Sequence, residues 1–277
     1  MKKKNLPTLS AASPCAGVSF DLPQSALARW NPAIQAAAKD DASISIFEPI
    51  GFDPWTGDGV TAKRIGAALR SIGGADVVVN INSPGGDMFE GLAIYNLLRA
   101  YEGAVTINVI GVAASAASLI AMAGDTVNIG RSAFLMIHNC WIMAVGNKRE
   151  LREAADTIEP FDRAMADIYA TRTGLDAKAV AKMMDAESWI GGSDAVESKF
   201  ADALLAADQI VEGSATNANA LRTVDTALAK AGMPRSERRR LVGEIKGTQD
   251  ATSDGTQDAA DATVSLFAAL GRFQSAA

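Results

Sequence analysis

The chain has 277 residues, 48% hydrophobic and 21% charged, with a formal net charge of −6. That is the composition of an ordinary globular protein, long enough for one large domain with tails. The acidic balance argues against a nucleic-acid binder, whose surface has to neutralise phosphates. Arg235, Arg238, Arg239 and Arg240 form a short basic cluster between acidic flanks, which reads as a solvated helix face. Two cysteines, Cys15 and Cys140, and one histidine suggest neither a disulfide framework nor a metal site, so no metal or cofactor is expected. Lys2, Lys3 and Lys4 are not followed by a long apolar run, which disfavours a signal peptide. The longest apolar stretch, 109–123, is broken by Gly and Ser and is too short to span a bilayer. The expectation is a cytoplasmic protein.

In chain order, residues 1–40 mix Pro, Ser and Ala without a sustained period and read as a flexible N-terminal arm. Ser43-Ile44-Ser45-Ile46-Phe47 alternates like a half-buried strand. A Pro- and Gly-rich loop follows, then a helix capped by Thr61 and stopped by Gly73-Gly74. A buried strand over 77–81 runs into the turn Asn82-Ser83-Pro84-Gly85-Gly86. A helix is predicted over 89–100, a strand over 105–110, a helix of small residues over 113–123, and strands over 126–129 and 133–137. A charged helical pattern covers 147–172, with Pro160 expected to bend or break it. Helices over 175–184 and 194–197 and a strand or turn over 201–204 complete the series. Alternating strands and helices imply an α/β domain over 41–212 with a largely parallel sheet. Residues 213–277 form a low-complexity extension with short helices near 222–232, 236–245 and 264–273, and a partial repeat of Gly247-Thr248-Gln249-Asp250-Ala251 at Gly255-Thr256-Gln257-Asp258-Ala259.

Three segments carry candidate chemistry. Gly85-Gly86, after a buried strand and a proline, can aim backbone N–H groups into a cleft as an oxyanion hole requires, or can be a plain tight turn. Ser115 arrives where a strand gives way to a helix of tiny side chains, and the N–H of Ala116 after it lacks an intrahelical partner. The alternative there is close helix packing, which suits Ser118 one turn on. His138 ends a short strand and is the chain's one histidine, hence the one obvious general base near neutral pH, or else a hydrogen-bonded structural residue. A carboxylate to orient it has two candidates, Asp185 and Glu187, just before Trp189. The sequence contains no GxxxxGK[ST] phosphate loop, so ATP hydrolysis by this chain is not expected.

Together these segments resemble the ClpP family of serine peptidases, over about residues 43–205. Ile81-Asn82-Ser83-Pro84-Gly85-Gly86 with Gly91-Leu92-Ala93-Ile94-Tyr95 is similar to the family's first signature. The run from Gly111 to Ser118 with Ala123-Gly124 resembles its nucleophile segment, and Met136-Ile137-His138 its histidine segment. The resemblance implies a spiral of ββα units with a protruding handle helix over 147–172. It makes Ser115 the nucleophile, His138 the base, Gly85 or Gly86 and Ala116 the oxyanion donors, and Glu187 (runner-up Asp185) the acid. The family's usual aspartate, two positions before an aromatic residue, is here a glutamate. Asn139-Cys140-Trp141, Asp185-Ala186-Glu187-Ser188-Trp189 and Pro234-Arg235-Ser236-Glu237 resemble the phage and prophage branch, associated with capsid (head) maturation.

The function implied is a serine endopeptidase acting on proteins or peptides within homo-oligomeric, often heptameric, rings. Its partners would be capsid proteins in a phage prohead or an AAA+ unfoldase, with no nucleic acid and no membrane. Three rival readings stay open at this stage. One is a catalytically weak capsid scaffolding protein on the same fold. Another is a crotonase-type acyl-CoA enzyme, which shares the spiral and the backbone oxyanion hole. The third is a Ser–Lys enzyme using Lys182 or Lys199.

Overall fold

The computed structural model describes residues 7, 22–36, 42–51, 59–142, 144–206 and 210–212 of a first compact unit ending at Asn219. Of a second unit, which begins at Ala220, it describes residues 224, 225, 227, 228, 233, 234, 237, 238 and 240–244.

The first unit opens with α1 (Gln24–Arg29) and β1 (Ile34–Ala36), followed by β2 (Ser43–Ile46), α2 (Ala62–Ile72), β3 (Val77–Ser83), α3 (Met88–Ala100) and β4 (Val105–Ala114). Then come α4 (Ala116–Ala121), β5 (Thr126–Gly130), β6 (Phe134–Ile137), α5 (Lys148–Thr173), α6 (Ala177–Asp185), β7 (Ser188–Gly191), α7 (Gly192–Glu197), β8 (Ala203–Leu205) and β9 (Ile210–Glu212). The expected α/β class with a mainly parallel sheet is what the chain adopts. Strands β2-β3-β4-β5-β8 lie side by side in parallel, and β6 adds to β4 in parallel.

The site depends on β4. At ten residues it is long enough to carry β3 along one edge and, in tandem on the other, β5 against Thr106–Val109 and then β6 against Val112–Ala114. β7 returns antiparallel along β6. Both faces of β4 are largely covered, so it reads as a near-continuous apolar run rather than an alternating one. Gly111 lets that run stay extended. A Cβ there would lie 2.5 Å from the Asn82 side-chain oxygen, which accepts the Val112 N–H at 3.1 Å.

Local chemistry ends the helices where expected. The Thr61 hydroxyl accepts the Arg64 N–H at 3.2 Å, and Gly73 closes α2 at φ 72°. Asn147 and Glu150 form a reciprocal capping box at the start of α5.

Four expectations need correcting. Within 1–40, expected to be a flexible arm, the described residues include two ordered elements, α1 and β1. They are too short to generate a period, and they hold through Ala26, Leu27 and Trp30, all buried. The predicted helix over 113–123 begins three residues later, because β4 runs through Gly111 to Ala114. Of the bend or break expected at Pro160, the break does not occur: α5 is continuous over 26 residues. The carbonyl that Pro160 deprives of a partner, that of Asp156, belongs to an exposed residue that water can reach. Arg238, read as part of a solvated face, is buried in the second unit. Its guanidinium donates to Asp225 at 3.0 Å and to the Met233 carbonyl at 3.3 Å.

In the second unit the described residues around 224–228 and 237–244 are helical, as expected. The predicted helix over 264–273 and the repeat over 247–259 lie outside the described residues. No helix among the described residues is long and apolar enough to cross a membrane. No group of three or more His, Cys, Asp or Glu among them is placed to hold a metal ion.

Substituting Gly111 by Ala forces the Asn82 amide off Val112. The expected loss is about 1–3 kcal/mol of unfolding free energy, read as a lower urea midpoint at unchanged slope.

Candidate active site

Ser115 sits between β4 and α4 with φ 55° and ψ −126°, a conformation that costs a residue with a side chain about 1–3 kcal/mol. Its own N–H continues the β4–β6 pairing by donating to the Met136 carbonyl at 2.9 Å. The chain then reverses directly into α4, whose six residues are all buried. The turn fits because its neighbours are small. A Cβ on Gly85 would stand 2.5 Å from the Ala114 carbonyl oxygen and 2.6 Å from the Ser115 Cβ, and one on Gly91 would stand 2.9 Å from the Ala116 Cβ.

β6 pairs Met136 with Ala114, so the residue two places beyond Met136 is carried alongside Ser115. That residue is His138, and its Nε2 lies 2.7 Å from the Ser115 Oγ. His138 is 8% exposed. Burial lowers its pKa below the ordinary 6.5, and the nearby Glu187 charge opposes that shift without overcoming it. A neutral imidazole at pH 7 is the form able to accept a proton.

Register places the expected acid. β6 and β7 pair Ile137 with Ser188, and one further step of the same antiparallel ladder sets His138 opposite Glu187. Glu187 holds a left-handed φ of 47° at the start of β7. Its charge acts on His138, yet among the described residues its carboxylate accepts a hydrogen bond from the Ser25 hydroxyl, at 3.3 Å, and none from the imidazole. Asp185 is placed differently, accepting the Asn139 side-chain amide at 2.7 Å.

The two glycines of the turn have separate positions. The Gly85 N–H is directed at the Ser83 hydroxyl, 3.3 Å away. The Gly85 carbonyl accepts from Ile50 at 2.8 Å, and Asp87 donates to the Ile50 carbonyl at 3.0 Å. The N–H groups of Gly86 and Ala116 have no hydrogen-bond partner among the described residues. Both residues border the cavity shared by Ser115 and His138. Gly85 therefore makes room and Gly86 presents the free donor.

Met88, Asn139, Cys140, Trp141, Met165 and Tyr169 supply the rest of the cavity wall. Burial pushes the Cys140 thiol up to about 12, so it is no rival nucleophile. Lys182 and Lys199 are exposed and do not border the cavity, which leaves the Ser–Lys reading without a base.

Three contributors were missed in the sequence. Ser118 is buried as expected, but its hydroxyl donates to the Ser115 carbonyl at 2.7 Å and accepts from the Tyr169 hydroxyl at 2.8 Å. Tyr169 of α5 thus braces the strained turn. Asp162, also on α5, accepts the Cys140 N–H and fixes the segment after His138. Ser25 lies 162 positions from Glu187 in the chain. In a charged helix Tyr169 and Asp162 look like any amphipathic pair, and nothing local marks Ser25.

A family model described as Clp protease matches residues 62–208, more than half of the 277-residue chain. The chain is 35% identical over 136 residues to the ATP-dependent Clp protease proteolytic subunit of Pleurastrum terricola, covering 47% of this chain and 67% of the relative. It is 30% identical over 135 residues to the subunit of the same name from Ligilactobacillus salivarius (strain UCC118), with the same coverage of 47% and 67%. Against ATP-dependent Clp protease proteolytic subunit 3 of Rhodococcus jostii (strain RHA1), identity is 26% over 155 residues, covering 53% and 76%. With a serine, a histidine and two free backbone donors converging on one cavity inside the matched region, the chain belongs to the Clp protease family and is a serine-type endopeptidase.

Proposed function

We propose that this chain cleaves peptide bonds with Ser115 as nucleophile, His138 as general base and Glu187 as the orienting carboxylate. The 2.7 Å contact between His138 Nε2 and Ser115 Oγ, beside the free N–H groups of Gly86 and Ala116, carries the reading. Ser115 Oγ attacks the scissile carbonyl carbon while its proton passes to His138 Nε2. The carbonyl becomes an oxyanion facing Gly86 N–H and Ala116 N–H. As the C–N bond breaks, His138 gives the proton to the leaving amine, and water then releases the acyl group by the same route. For Nε2 to accept, Nδ1 must carry the proton, and a carboxylate across the ladder favours that tautomer and the imidazolium that forms.

The finer reading is a ring-forming homo-oligomer that encloses its sites, with α5 as the contact between rings, and a role in phage capsid maturation. Supporting it are the Asn139-Cys140-Trp141 and Asp185 to Trp189 segments, and the exposure of Trp141, Val145 and Leu151 where α5 begins. The relatives' names carry ATP dependence. This sequence has no phosphate loop, so any ATP-driven unfolding would be supplied by a partner.

A fluorophosphonate probe should label wild-type protein at Ser115, as peptide mapping will show, and should label neither Ser115→Ala nor His138→Ala. Peptidase kcat should fall about a million-fold in either variant. An assembled, folded protein that takes no label points instead to a scaffolding role.

The pH dependence has a defined sign. Activity needs neutral His138, whose folded pKa is lowered, so kcat/KM should be full at neutral pH and lost as pH falls through a midpoint below 6.5. Glu187→Gln removes the influence that raises this pKa and should move the midpoint lower still. Asp185→Asn should leave it in place. Because His138 is the one histidine, its imidazole NMR signal reports the same titration without ambiguity.

A further inference from the structure

The segment before β2 lies outside the region matched by the family model, yet it is joined to each strand that carries the site. Ala26 of α1 shares a small apolar cluster with Val112 and Ala114 of β4, Met136 of β6 and Trp189 of β7. These residues lie within three positions of Ser115, His138 or Glu187. The Arg29 guanidinium sits 4.3 Å from the Trp189 ring centroid and 5.9 Å from that of Phe134. Trp30, 3% exposed, donates its indole N–H to the Asn82 carbonyl at 3.0 Å. The Asn82 amide donates back to the carbonyls of Asn31 at 2.7 Å and Ile34 at 3.1 Å. Asn82 is the last but one residue of β3, which leads into the turn that presents Gly86. The far end of the segment is held by β1, paired antiparallel with β9.

This docking delivers one hydroxyl to the acid. Ser25 Oγ donates to Glu187 Oε2 at 3.3 Å, the hydrogen bond that the carboxylate makes among the described residues. Glutamate is one methylene longer than aspartate, its side chain here is exposed, and its backbone is in the left-handed region. Such a carboxylate has several rotamers open to it, and fixing one requires a partner. We propose that Ser25 is a positioning residue for the reaction, holding the Glu187 carboxylate where its charge reaches His138. This rests on the assignment of Glu187 as the orienting acid.

The test is a double-mutant cycle on the full-length protein with a peptide substrate, reading kcat, KM and the acidic midpoint of kcat/KM for Ser25→Ala, Glu187→Gln and the pair. Ser25→Thr, which keeps the hydroxyl, serves as the rescue. Ser25→Ala should lower kcat about three- to tenfold with KM little changed, and should move the midpoint in the same direction as Glu187→Gln. In the Glu187→Gln background the Ser25 change should have no further effect. Ser25→Thr should recover most of the rate. Equal thermal midpoints for Ser25→Ala and wild type separate this from unfolding, and Ser25→Thr decides the matter if Ser25→Ala does not fold. An effect of Ser25→Ala that persists in Glu187→Gln overturns the proposal, as does wild-type behaviour of Ser25→Ala while Glu187→Gln is impaired. If Glu187→Gln itself behaves as wild type, the Glu187 assignment falls, and Ser25 with it.

Discussion

A single backbone conformation organises this molecule: Ser115 at φ 55°, where a strand reverses into a helix. An L-residue adopts that conformation only if the surroundings hold it there. β4 must run on to Ala114, and β6 must pair with its last residues so that the Ser115 N–H finds the Met136 carbonyl. The turn before α3 must carry Gly85, and α3 itself must carry Gly91, because side chains there would collide with the reversal. The residues after Ser115 must be small and buried. The Ser118 and Tyr169 hydroxyls then tie the Ser115 carbonyl to α5. Remove the strain and these features lose their common reason; keep it and the hydroxyl is presented beside two N–H groups without a partner among the described residues.

The electrostatics follow from the same packing. Building the turn into the core buries His138, and burial lowers its pKa, keeping the imidazole neutral and able to accept a proton. Burial alone would also penalise the imidazolium that the reaction creates. A carboxylate set opposite by the β6–β7 register offsets that penalty, without a hydrogen bond of its own to the ring. The choice between Glu187 and Asp185 is thus one of strand register. Two residues earlier in the chain, the carboxylate meets Asn139 instead.

How much of this was legible in the sequence depended on how local the cause is. The Thr61 cap, the Gly73 stop and the buried strand before Asn82 act within a few residues, and they read correctly. Ser115, His138 and the Gly85-Gly86 pair stand out in the sequence as candidate motifs, since reactive groups need particular residue types, and Ser115, His138 and Gly86 border one cavity. Where β4 ends was not legible, because apolar small residues suit a buried strand and a buried helix equally well. The pairing of Val112–Ala114 with β6 and the approach of Asn82 to Gly111 show that the strand continues. Pro160 reads as a bend or break, but the carbonyl it leaves without a helical partner belongs to the exposed Asp156, open to solvent. α1 and β1 left no trace in periodicity because neither is long enough to repeat.

The division of labour has a physical basis. The side chains proposed to make and break bonds come from short segments whose sequence is constrained by strain and by contact distance. The groups that set protonation and orientation need only deliver a charge or a hydroxyl to a point in space, and any segment that reaches the point can serve. Here Glu187 stands where the resemblance implies an aspartate, and the hydroxyl of a serine from before the first strand of the main sheet donates to it. A longer acid side chain and a distant hydroxyl are two halves of one solution: the extra methylene adds reach and freedom, and the docked segment takes the freedom away. The site therefore extends well beyond the motif that reveals it.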